Sequence, residues 1–201
     1  MITFRNATQA ELGDVLEWAA AEGWNPGLDD AAAFFATDPR GFFVAEMADA
    51  LVAAISVVNH NDSFAFLGLY IVMPQHRGKG IGLRLWQHAL EHASSRTVGL
   101  DGVAEQQDNY RTSGFTHAGG TTRFTGHVQP QEGHGIRLAQ SADIPVLTDA
   151  EHAASGYRKC DYLGAWFTNT EYRKTLVLPQ DDGSASFCTV RKCQVGAKVG
   201  P

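Results

Sequence analysis

The chain has 201 residues, a formal charge of −6 and 44% hydrophobic content, which suits a globular protein of one large domain or two small ones. Its mild acidity argues against a general nucleic-acid binder, whose basic face must displace counterions. No apolar run approaches the ~20 residues that span a bilayer, and the N-terminus, MITFRNATQAELGD, lacks the basic-then-apolar pattern of a secretion signal.

Ile2 to Arg5 reads as a short strand. Thr8-Gln-Ala-Glu11 is a capping box, in which Thr8 caps an amide while Glu11 reaches back. Leu12, Val15, Leu16 and Ala19 then make one apolar helical face. Gly23 to Gly27 breaks the pattern, and Asp29 to Ala36 is a second short helix. GFFVAEM and ALVAAISVVN form an antiparallel hairpin turning at Ala48-Asp49. SFAFLGLYIV is the next strand, after a turn at His60-Asn61-Asp62. A helix is expected from Gly80 to Ser95, burying Ile81, Leu85, Trp86, Ala89, Leu90 and Ala93. TVGLDGV is a strand, Glu105 to Ser113 a short helix, and HAGGTTRFTG a final strand. From Thr125 to Gly135 the chain turns polar and rich in Gly and Pro, the composition of a linker. The expected division is a domain at 1–127, a linker at 128–134 and a partial second domain at 135–201.

After the linker the sequence starts again. FRNATQAEL from Phe4 lines up with IRLAQSADI from Ile136, placing Arg5 over Arg137, Ala7 over Ala139 and Glu11 over Asp143. GSASFCTVRKCQVGAKVG offers a hairpin to match the one at Ala48, whereas EYRKTLVL from Glu171 reads as a solvated helical end. A duplicated unit follows, in which the second copy stops before any glycine segment. Alone, such a half copy exposes strand edges and apolar surface. It must dock on the first domain, pair with another chain as in a homodimer, or belong to something longer. The three cysteines, Cys160, Cys188 and Cys193, show no CxxC spacing and read as reduced thiols of a cytoplasmic protein.

Between an apolar strand and a helix stands Arg77-Gly78-Lys79-Gly80-Ile81-Gly82. Glycines let backbone amides approach a ligand, and a helix N-terminus adds unpaired donors and the positive end of its dipole. The segment is a phosphate or pyrophosphate cradle. A Walker loop, G-x-x-x-x-G-K-[ST], fails because Lys79 is followed by Gly80. A Rossmann fingerprint, with Asp101 as ribose ligand, would make the chain a dinucleotide-binding oxidoreductase. It fits poorly, because Leu83 stands where the third glycine belongs and hairpins precede the loop.

YIVMPQHRGKGIGLRLW resembles the acetyl-CoA signature R/Q-x-x-G-x-G/A of the GNAT acetyltransferase superfamily, carried by Arg77, Gly80 and Gly82. NYRTSGF resembles that family's Tyr-x-x-x-Gly-Phe segment through Tyr110, Gly114 and Phe115. The resemblance covers about residues 2–126, with the opening of a second copy at 135–200. It implies an α/β (α+β) fold: a central, mostly antiparallel mixed sheet flanked by helices, followed by a partial GNAT-like repeat. By the same resemblance, the amides of Arg77, Gly78, Lys79, Gly80, Ile81, Gly82 and Leu83 hold the pyrophosphate of acetyl-CoA. The backbone of Ile71, Val72 and Met73 pairs with the pantetheine arm, beside a splay between this strand and TVGLDGV. An amide near Val72 polarises the thioester carbonyl, and Tyr110 protonates the leaving thiolate, whose pKa in a simple thiol is near ~8.5.

The general base stays open. An amine with a pKa around ~10 must lose a proton before attack, yet SFAFLGLYIV contains no carboxylate, and Val103 stands near the place of the family's frequent asparagine. Asp101 is the first choice, with Glu105, Glu46 or water as alternatives. His88 and His92, four apart, have metal-ligand spacing but no third ligand, so a solvated face is the simpler reading and no metal is expected. Trp18, Trp24, Phe34 and Phe35 lie in helices that in this family wall the acceptor pocket; core packing is the default for them. The reading that results is an N-acetyltransferase using acetyl-CoA and a small-molecule amine, or a peptide or protein amine, with no nucleic-acid or membrane partner. Its rival is a coenzyme A-binding sensor without catalysis.

Overall fold

The computed structural model describes residues 1–129, 133–181 and 183–200. Five strands, β1 (Ile2–Asn6), β2 (Phe42–Met47), β3 (Ala50–Asn59), β4 (Phe64–Val72) and β5 (Thr97–Leu100), lie in that order across one sheet. The first four are antiparallel neighbours, and β5 runs parallel to β4. Helices α1 (Gln9–Ala21) and α2 (Asp30–Thr37) pack on one face, where Leu12 and Val15 meet Phe42, Val44 and Ala54. Helix α3 (Ile81–Leu90) packs on the other, setting Ile81, Leu85, Trp86 and Ala89 against Phe43, Ile55 and Val57. Coverage on both sides explains why β3 is almost unbroken apolar sequence.

Local chemistry starts α1 as expected. Glu11 N donates to Thr8 Oγ1 at 3.2 Å while Thr8 N donates to Glu11 Oε2 at 2.7 Å, completing the capping box. Its buried residues are Leu12, Val15, Leu16 and Ala19. α3 is shorter than expected: it tightens into a 3-10 turn at Glu91–Ala93, ended by Ser94 at φ 53°. α4 (Gln107–Thr112) follows a 3-10 turn at Ala104–Gln106.

The expected final strand at HAGGTTRFTG does not form. These residues are exposed and irregular, and β5 stays an edge. Phe124 is the one large apolar side chain in that stretch, too little burial to hold two adjacent glycines on an open edge. Of the expected linker, residues 130–132 lie outside the described residues.

The C-terminal part has its own antiparallel sheet, β6 (Arg137–Leu138), β7 (Arg173–Pro179), β8 (Ala185–Lys192) and β9 (Ala197–Gly200), in that order. With α5 (Ile144–Ser155) and α6 (Cys160–Phe167), its chain order is that of β1 to β4 with α1 and α2. The aligned charges also make equivalent contacts. Arg5 pairs with Glu11 at 2.7 Å and Arg137 with Asp143 at 2.6 Å, each acid also receiving an amide three residues before it. The stretch from Glu171, read above as a solvated helical end, is instead β7. Arg173, Thr175 and Val177 alternate as buried residues there, a period of two that the charged neighbours mask.

The two parts meet through α2 and α6, where the rings of Phe34 and Trp166 stack at 6.0 Å. Tyr157 stacks on Phe64 at 4.0 Å, and Arg191 pairs with the buried Asp30 at 2.5 Å.

Candidate active site

β4 and β5 pair from Phe64↔Thr97 to Leu67↔Leu100 and then part. The cause lies in β4 itself. Between Ser56↔Gly68 and Ala54↔Ile71 it carries one residue more than β3, and Leu69 there adopts φ 48°. Such a bulge bends its strand, and it falls just past the last pair with β5. The gap therefore opens along Gly68 to Val72, the splay expected from sequence.

The ladder decides which backbone groups face that gap. Met73 N donates to Val52 O at 3.0 Å, so by antiparallel alternation Met73 and Ile71 turn their polar groups to β3 and Val72 turns its own outward. The Val72 carbonyl accepts from Arg77 Nε at 2.8 Å. Its amide N–H points into the gap, the orientation an oxyanion donor needs.

Beyond a turn at Pro74–His76 comes the glycine loop. Gly78 and Gly80 both adopt φ 72°, a conformation costly for other residues, while a Cβ at either would meet nothing within 4 Å. These glycines serve conformation and leave open space in front of the loop. No side chain caps α3, and its first closing bond is Arg84 N to Gly80 O at 3.2 Å. The amides of Ile81, Gly82 and Leu83 thus stay available at the positive end of the helix. Lys79 Nζ donates to Gln75 O at 2.8 Å, and Arg77 pairs with Glu22 of the α1–α2 loop. Gly82 has a different task. A Cβ there would lie 2.5 Å from Tyr70 Oη and 2.9 Å from Val72 Cγ2, so its absence lets the helix start press on β4. An uncapped helix start, left-handed glycines and two cations fit a pyrophosphate.

Tyr110 stacks on Trp86 at 6.0 Å and lies against Gly102, where a Cβ would be 2.7 Å from its ring. Burial raises its pKa above the ordinary phenol value, so the hydroxyl keeps its proton at neutral pH. Tyr70 joins the same cluster edge-on to Trp86 at 5.2 Å; burial and then the proximity of Tyr110 raise its pKa as well. Nothing in the sequence marked Tyr70 beyond its place in an apolar strand.

The carboxylates considered for proton removal are not gathered together. Asp101 follows the last β5 residue and is exposed, as is Glu105. Glu46 is held by Arg5 at 2.6 Å on the β1–β2 side of the sheet. Glu22, which the sequence did not single out, reaches the mouth of the gap through Arg77. His88 and His92 do not form a solvated face. His88 packs on Phe4 and Phe43, and His92 bonds Asp38 at 2.7 Å. Among the described residues no group of three His, Cys, Asp or Glu side chains is placed to hold a metal. Phe34 and Phe35 pack against Trp166 and Phe42 respectively, and Trp18 joins the α1 core.

Residues 10–116 match the model of the acetyltransferase (GNAT) family. The chain is 36% identical to a holothin acyltransferase of Pseudoalteromonas sp. (strain SANK 73390) over 201 residues, 99% of this chain and 68% of that one. It superposes on a Pyrococcus horikoshii protein provisionally described as an acetyltransferase, with a TM-score of 0.63 at 16% identity over 95% of this chain and 71% of that one. A Clostridium acetobutylicum structure, provisionally described in the same way and holding acetyl-CoA, gives 0.51 at 15% identity over 62% of this chain and 96% of that one. These two likenesses speak for the fold.

Proposed function

The chain belongs to the acetyltransferase (GNAT) family and is an acyltransferase, and from that premise we propose that it moves the acetyl group of acetyl-CoA to a primary amine by direct attack in a ternary complex. The observation that carries this reading is the gap at Val72 opening beside an uncapped, glycine-rich helix start. The loop from Arg77 to Leu83 receives the pyrophosphate, and the outward groups of Val72 meet the arm that carries the thioester. As the amine attacks the carbonyl carbon, the Val72 amide stabilises the oxyanion. Tyr110 gives its proton to sulfur as the C–S bond breaks, and the ammonium proton passes to Asp101, Glu22 or water. No cysteine precedes Cys160, so none lies on β4, β5 or the glycine loop, which favours direct attack over a covalent thioester on the protein. Free thiols also favour the cytoplasm, and no helix among the described residues is long and apolar enough to cross a membrane. The repeated element order and the paired Arg5–Glu11 and Arg137–Asp143 contacts support a tandem origin.

The acceptor is read as a small-molecule amine, a peptide amine being the alternative. Likeness to a holothin acyltransferase supports transfer to an acceptor like holothin. Calorimetric titration with acetyl-CoA, coenzyme A and NADH tests the reading, followed by thiol release against an amine panel. Binding of both coenzyme A species, lost in Gly80→Glu, with amine-dependent thiol release is the expected result. Binding without release from any amine would make the chain a coenzyme A sensor, and binding of neither species would overturn the assignment.

A further inference from the structure

The segment Glu22–Asp29, between α1 and α2, is held from two sides. On one side stands the β8–β9 hairpin. Lys198 Nζ donates to Trp24 O at 2.5 Å, Asn25 Nδ2 donates to Val195 O at 2.8 Å, and Val195 N returns a bond to Asn25 Oδ1 at 3.3 Å. Leu28 N donates to Lys192 O at 2.9 Å, and Gly27 forms a bridge to Cys193. The segment is attached to the hairpin almost as a further strand would be. On the other side the Glu22 carboxylate takes the guanidinium of Arg77, whose Nε lies 2.8 Å from the Val72 carbonyl. Contacts therefore run without a break from the hairpin through the loop to Val72 at the gap.

A loop without regular structure keeps one path only where outside partners fix its polar groups. The amides of Gly23 and Trp24 bond back to α1, but the Trp24 carbonyl, the Asn25 side chain and the Leu28 amide take their partners from the C-terminal part. A cavity of about 110 Å³ lies against the loop, lined by Leu16, Glu17, Pro26, Leu28 and Gln194, so packing alone does not fix its path.

We propose that the C-terminal part is a working portion of the transfer site: its β8–β9 hairpin holds Glu22–Asp29 as the acceptor-side wall of the gap, with Asn25 and Lys198 as positioning residues. The proposal rests on the gap being the place of acyl transfer.

The test is the double variant Asn25→Ala/Lys198→Met, which removes the side-chain bonds between loop and hairpin and alters no residue of the cradle. Hydrogen exchange of the Trp24, Asn25, Gly27 and Leu28 amides is expected to quicken roughly tenfold as the loop loses its anchors. With an amine found active in the panel, KM for the amine should rise about fivefold or more, while acetyl-CoA affinity stays within about twofold. Lys198→Arg alone, which keeps a donor for Trp24 O and leaves Asn25 intact, should stay close to wild type. Quicker exchange with an unchanged amine KM would leave the hairpin a purely structural support and overturn the proposal; unchanged exchange would overturn the clamp itself. If the wild type releases no thiol with any amine, the transferase reading fails and takes this proposal with it. The exchange data then show whether the clamp is nonetheless real.

Discussion

Tyr110 and Gly82 illustrate two ways in which one residue controls this site. The Tyr110 ring is held by Trp86 and by the missing side chain at Gly102, not through its hydroxyl. Tyr110→Phe should therefore leave the melting temperature unchanged while kcat and kcat/KM fall together by roughly a hundredfold, the mark of a group needed in the transition state. A kcat within twofold of wild type would return Tyr110 to packing alone. Gly82→Ala should do the reverse and damage structure first. Its new methyl would stand 2.5 Å from Tyr70 Oη, and both the helix start and β4 are backbone-anchored. Overpacking of this kind costs about 1–3 kcal/mol, so the urea midpoint should drop and acetyl-CoA binding weaken with it. A variant as stable as wild type would show that Tyr70 yields freely. The glycines were legible in sequence because a left-handed turn before a helix has few other solutions. Glu22 was not, since its partner Arg77 is 55 residues away and only the folded chain joins them.

At the scale of elements, what was readable is what is local. The capping box of α1 closes within four residues, so Thr8 and Glu11 announce it. Strands depend on neighbours: β7 needs β6 and β8 on its flanks to reveal its alternation, and HAGGTTRFTG has strand-like residues but no partner to hold them. The cap also yields a pH prediction. Arg5 first, then the Thr8 amide and hydroxyl, outweigh burial and hold the Glu11 carboxyl at about 2, below its ordinary 4.5. A depressed carboxylate stabilises the fold above its unfolded pKa, and that contribution disappears as pH falls from 4.5 toward 2. Arg137 holds Asp143 at about 2 in the same manner. Thermal unfolding of Glu11→Gln should accordingly start lower than wild type at pH 7 and converge with it near pH 2. Parallel curves across that range would mean that Glu11 acts only through its shape.

At the scale of the molecule, the alignment of Arg5 with Arg137 reveals a second copy but not which face of it is used. The structure joins corresponding elements, α2 against α6, and seals the joint with aromatic rings. His60 stands within that joint, stacked on Phe64 at 6.0 Å and edge-on to Tyr162 at 5.7 Å. Its Nδ1 is buried with no hydrogen-bond partner among the described residues. Burial, helped by Lys159 and opposed by Asp38, lowers its pKa from 6.5 to about 4. The folded chain thus keeps His60 neutral where the unfolded chain takes up a proton. The favourable contribution is complete above pH 6.5 and is lost as pH falls through 6.5 to 4. This window lies mostly above that of Glu11, so the two acid limbs can be separated. Wild type should lose stability between pH 6.5 and 4, with amide exchange quickening in α6 and at the start of β4. His60→Phe, which keeps a ring between Phe64 and Tyr162, should abolish that limb and leave the lower one intact. If wild type and His60→Phe superimpose between pH 6.5 and 4, protonation of this joint has no part in holding the two halves together.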